Sequence, residues 1–106
     1  MDFFKVIMTS KAQSDLAECV GFALNVSKDS VQKLADNIYS SIQSLQTFPE
    51  RNAIFGMPKS FPFVVRKLII GKRYVALYVV EEKQVVVYRI LDSRRKFNYL
   101  IGWGMN

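Results

Sequence analysis

The side chains best suited to act on a polyanion are arginines, and they cluster in the second half of the chain. Arg66 lies inside the apolar run 63–70 and Arg89 inside the apolar run 85–91, while Arg94, Arg95 and Lys96 follow directly after the second run. A charge inside so apolar a stretch is costly unless it reaches water, a counter-charge or a ligand. Phe97 and Tyr99 come next, and cations beside aromatic rings can hold phosphates while bases stack on the rings. The plain alternative is a solvated basic turn, with Phe97 packed back as core filler. The chain has no histidine, which removes the commonest general base and the usual metal ligand. One cysteine, Cys19, cannot restore a thiolate cluster. Chemistry must therefore run on Arg, Lys, Tyr and carboxylates, and neither a metal nor another cofactor is expected. Cys19 itself lies next to an apolar stripe and reads as an inert packing thiol.

Whether the strand arginines meet depends on one turn. If residues 71–73 form it, Ile70 pairs with Tyr74 and Arg66 with Tyr78. Pairing Glu81 with Gln84 then sets Ala76 opposite Arg89, so Arg66, Tyr78 and Arg89 share a face. If the turn is only Gly71-Lys72, parity flips and Lys67 replaces Arg66 beside Arg89. Either way two cations meet around the small Ala76, an arrangement suited to a phosphate.

The elements that hold these residues read clearly. Residues 3–8 form a short strand, and Thr9 and Ser10 offer N-cap oxygens to a helix carrying Ala12, Leu16, Val20 and Ala23 on one stripe. Asn25 to Ser27 break it, and Ser27 or Asp29 caps a second helix. There Val31, Leu34, Ala35, Ile38, Ile42 and Leu45 keep one face apolar until Pro49 stops the helix. The short connection makes the two helices an antiparallel hairpin. Residues 50–62, with Gly56, Pro58 and Pro62, read as a loop whose basic positions are Arg51 and Lys59. Strands 63–70, 74–80 and 84–91 follow as an antiparallel meander, and residues 93–101 allow one or two helical turns. The order β-α-α-β-β-β fits an α+β domain with the hairpin on one sheet face.

The chain is 106 residues long and half apolar, enough for one domain with a small core. Fifteen Lys+Arg against nine Asp+Glu leave a net charge of +6, which favours encounters with nucleic acid or acidic proteins. A single cysteine excludes an internal disulfide and suits a reducing compartment. No basic head with a long apolar segment marks a signal peptide, and the apolar runs are too short to span a bilayer. A soluble cytoplasmic protein without membrane contact is expected.

In order, these features resemble the RelE/ParE superfamily, toxins of bacterial type II toxin–antitoxin pairs. The carriers are the first strand, the hairpin ending at Phe48-Pro49, Arg66-Lys67-Leu68, then Gly71, Tyr74 and Tyr78, and finally Arg89–Leu91 with the Arg94-Arg95 turn. The resemblance covers roughly residues 3–101 and implies one RelE-like domain over 1–106, its hairpin packed on a mainly antiparallel four-stranded sheet with a short C-terminal helix. It implies a toxin held inactive by a cognate acidic antitoxin. RelE-like members cut messenger RNA in the ribosomal A site, and ParE-like members poison DNA gyrase. The first expectation is a ribosome-dependent mRNA endoribonuclease that inhibits translation: the RNA's own 2′-OH attacks the phosphate, Arg66, Arg89, Arg94 and Tyr99 are catalytic, and Lys59, Lys67, Arg95 and Lys96 bind RNA. The alternatives are a gyrase inhibitor using the exposed side of residues 29–44, or a non-toxic relative that only binds its antitoxin. Many relatives carry His two residues before the twin arginines, where this chain has Asp92. The segment from Gly71 to Tyr74 is one residue longer than in those relatives, which favours the three-residue turn.

Overall fold

Apolar stripes at helical spacing build the hairpin that covers the sheet. A computed structural model describes residues 3–56, 63–71 and 73–92, with side chains omitted for residues 22–24. Strand β1 (Lys5–Met8) leads into helix α1 (Ser10–Leu24). The Thr9 hydroxyl accepts from the Ala12 amide at 3.1 Å, satisfying one of the amides that the first helical turn leaves without a partner. Helix α2 (Lys28–Gln43) is capped by Ser27, whose hydroxyl accepts from the Ser30 amide at 3.0 Å. It tightens into a 3₁₀ turn at Ser44–Gln46, and Pro49 opens a second such turn through Arg51. Ala12, Cys19, Ile38, Ile42 and Leu45 are buried against the sheet, the stripe positions that the spacing singles out together with the cysteine beside them.

Among the described residues five strands, not the expected four, form one mixed sheet in the order β1-β5-β4-β3-β2. The extra strand, β2 (Ile54–Gly56), lies in the segment read as a loop and pairs with β3 (Val65–Ile70) in an irregular antiparallel register. Three residues are too few to display alternation, and Gly56 with two nearby prolines reads as loop chemistry. Strands β4 (Tyr74–Glu81) and β5 (Gln84–Asp92) complete the meander, and β1 joins β5 in parallel from Lys5↔Gln84 to Met8↔Val87. The expected helix over 93–101 falls outside the described residues.

The β3–β4 turn is the three-residue form, with Ile70 opposite Tyr74 and Arg66 opposite Tyr78. Gly71 sits at φ +61, and a Cβ there would lie 3.2 Å from the Asn37 side-chain nitrogen of α2. Gly71→Ala is therefore expected to cost roughly 1 kcal/mol. An unchanged denaturation midpoint would show that this turn tolerates a side chain.

The β4–β5 ladder contains the feature on which the site depends. From Glu81↔Gln84 to Tyr78↔Val87 the pairing is regular, and then it slips so that Leu77 faces Arg89. One extra residue, Tyr88, is accommodated on β5 as a bulge. The hairpin-side core comprises Leu68, Ile70, Tyr74, Ala76, Tyr78, Val85, Val87 and Ile90 from the sheet. A second apolar cluster, Val65, Val75, Leu77, Val79 and Leu91, lies on the other face. Among the described residues, no helix is long and apolar enough to cross a membrane.

Candidate functional site

The bulge decides where Arg89 goes. A regular ladder would have put it opposite Ala76, with a second cation nearby. Instead Ala76 is fully buried between Leu68 of β3 and Ile90 of β5. The expected meeting of cations around Ala76 does not form, because the extra residue shifts the parity of everything beyond it. Arg89 turns to α1 and grips Asp15 through two bonds, Nε to Oδ2 at 2.7 Å and Nη2 to Oδ1 at 3.2 Å. The Ile90 amide donates to the same Oδ2 at 3.0 Å. Both side chains are largely buried, Arg89 13% and Asp15 12% exposed, which makes this a bidentate, partly desolvated pair. Thr9 holds the bulge from the other side: its amide donates to the Val87 carbonyl and its hydroxyl to the Tyr88 carbonyl, each at 3.0 Å. Tyr88 packs on the distal cluster, where burial and then the nearby Glu81 carboxylate raise its phenol pKa.

Arg66 and Tyr78 do come together, as their pairing requires, but they face the chain's own backbone. The Tyr78 hydroxyl donates to the Pro49 carbonyl and accepts from the Asn52 side-chain amide at 3.0 Å. Burial raises the Tyr78 pKa; the Asn52 bond and the Arg66 and Arg51 charges partly oppose that, and Glu50 adds to it. Arg66 Nη1 donates to the carbonyls of Glu50 at 3.1 Å and Asn52 at 2.8 Å. Arg51 does the same from within the turn, reaching the carbonyls of Ser44, Thr47 and Phe48 and the Ser44 hydroxyl. Three side chains thus brace residues 44–52, and the ring of Phe48 stands outward from that brace at 73% exposure.

Lys67, the other candidate on β3, pairs with Leu77 and so belongs to the opposite sheet face from Arg66. Lys59, Arg94, Arg95, Lys96 and Tyr99 lie outside the described residues. Asp92 approaches Arg73 at 3.9 Å. Sequence reasoning passed over Asp15, which resembles any carboxylate on a solvated helix side. It also passed over Asn52 and Phe48, although Phe48-Pro49 was visible as a motif. Of the described candidates, then, Arg66 and Arg89 are both engaged inside the fold. The exposed large groups on and beside α2 are Val26, Tyr39 and Phe48, an arrangement suited to holding another protein.

Comparison with known proteins gives a consistent answer. The family model described as the ParE toxin of type II toxin-antitoxin system, parDE, matches residues 6–97. The fold is similar to a solved chromosomal ParDE toxin–antitoxin system from P. aeruginosa, at 23% identity and a TM-score of 0.67, covering 85% of this chain and 96% of that one. It is also similar to the RelBE2 toxin–antitoxin complex from Mycobacterium tuberculosis, at 18% identity and a TM-score of 0.58, covering 90% of this chain and 97% of that one. No protein of curated function matches the sequence.

Proposed function

The chain belongs to the ParE toxin family of type II toxin–antitoxin systems, and from that premise we propose that it arrests growth by binding DNA gyrase rather than by cutting RNA. The observation that carries this reading is the internal engagement of both strand arginines. Arg89 is held by Asp15 and Arg66 by the Glu50 and Asn52 carbonyls. A phosphodiester transition state needs donors aimed at the charge that develops on it, and Arg89 and the Arg66 Nη1 are turned to the fold instead. The absence of histidine supports the same choice. The binding surface is the exposed side of α2, where Lys33, Asp36, Asn37 and Tyr39 face outward.

The neutralising partner is a cognate antitoxin. Its acidic, partly disordered segment folds over a surface that carries a net charge of +6. With gyrase and the antitoxin as partners, the protein works in the cytoplasm.

A ribosome-dependent endoribonuclease is the second reading. It is favoured by the consecutive cations Arg94, Arg95 and Lys96 with Tyr99 close behind. Expression without antitoxin separates the two. The gyrase reading expects DNA breaks to accumulate while translation continues, purified toxin to block supercoiling, and Arg94→Ala to stay toxic. Translation arrest with cleaved messenger RNA, abolished by Arg94→Ala, would reverse the choice. Unaltered growth would leave a relative that binds its antitoxin and harms nothing.

A further inference from the structure

Two described non-glycine residues have positive φ, Glu82 and Phe48. Glu82 lies in the two-residue hairpin turn between β4 and β5, where such a backbone is the usual solution. Phe48, at φ 46 and ψ 53, has no comparable reason to be Phe. Glycine or asparagine adopts that conformation at less cost, and the proline that follows restricts Phe48 further. Nor does core packing account for the ring, which is 73% exposed. A bulky residue held in a strained backbone with its ring in water is best accounted for by binding.

The surroundings hold that backbone firmly. Arg51 donates to the Thr47 carbonyl at 2.6 Å and the Phe48 carbonyl at 3.1 Å, Tyr78 donates to Pro49, and the Phe4 amide donates to Gln46 at 2.8 Å. A preformed turn loses little freedom on association, and a rigid exposed aromatic is the commonest kind of interface anchor.

Resting on the gyrase reading, we propose that Phe48 is the anchor that enters an apolar pocket of gyrase, extending the exposed side of α2 that precedes it. Nucleic acid fits less well, because the Arg51 guanidinium and the Arg66 Nη1 beside the ring are turned to the turn's own carbonyl and hydroxyl oxygens. An acidic antitoxin segment also fits less well, because exposed Glu50 lies two residues from the ring.

The test uses Phe48→Gly and Phe48→Asn in the full chain, with Phe48→Tyr as the conservative control. Both small variants are expected to keep or raise the melting temperature and to bind antitoxin within about twofold of wild type. Half-inhibition of gyrase supercoiling should need about 30-fold more protein, the size of a hot-spot loss, while Phe48→Tyr stays within about twofold of wild type. Inhibition at wild-type concentrations by the small variants overturns the proposal. So does a parallel loss of antitoxin binding, or a fall in melting temperature that accounts for the lost inhibition. If wild-type toxin itself leaves supercoiling untouched, the gyrase reading fails first and takes this inference with it.

Discussion

Asp15→Ala is expected to destabilise the protein by about 3–5 kcal/mol, because it removes the carboxylate that the largely buried Arg89 guanidinium grips through two bonds. A domain of this size is stable by only about 5–15 kcal/mol, so the loss should be visible as a large drop in denaturation midpoint. The Ile90 amide loses its acceptor in the same change, adding to the cost. A loss under about 1 kcal/mol, the range of exposed pairs, would show that water already screens the contact. The informative variant is the double replacement Asp15→Leu with Arg89→Met. Replacing a buried ion pair by apolar groups of similar volume is often neutral, so much of the stability should return. If toxicity returns with it, Arg89 acts only as a brace for α1 and the bulge. A stable double variant that harms nothing would instead assign Arg89 a chemical part and revive the nuclease reading.

Tyr78→Phe tests the other internal network. The ring remains in its buried place, but the Pro49 carbonyl and the Asn52 amide each lose a partner. The expected cost is about 1–3 kcal/mol. Alkaline titration gives a second readout. The folded-state pKa of Tyr78 is raised above its ordinary value of 10.0, first by burial, so the folded protein holds its proton more tightly than the unfolded chain. This contribution is fully present below pH 10 and is lost as pH rises through the folded value. Tyr78→Phe should therefore flatten the fall in stability above about pH 10, leaving the share from Tyr88. An unchanged alkaline slope would show that the Tyr78 hydroxyl is already open to water.

The helices were legible because the apolar residues from Val31 to Leu45 repeat at helical spacing and Ser27 caps the start of α2. The β3–β4 register was only half legible, since turns of two or three residues were both open; the structure takes the three-residue form, and Arg66 faces Tyr78. The bulge was not, and the reason lies in residues 85–88. Val85, Val86 and Val87 are apolar on both sheet faces, so an extra residue interrupts no visible alternation. That single slip carried Arg89 away from Ala76. Asp15 was equally silent, since its partner lies 74 residues along the chain. Strand β2 was hidden by its brevity and its neighbouring prolines. Long-range pairings and insertions in uniform strands leave no local trace.

The parallel pairing of β1 with β5 has a consequence for how the protein is made. Lys5 meets Gln84, so β1 waits for β5 to be made. At about 5–20 residues per second, the 79 residues from Val6 to Gln84 take roughly 4–16 s to appear. Throughout that interval Thr9 has no bulge to hold and Asp15 no arginine. Pairings so distant also slow the search for the native sheet. Synthesis that stops before residue 84 leaves β1 without its neighbour. The sheet can close only after β5 has been made.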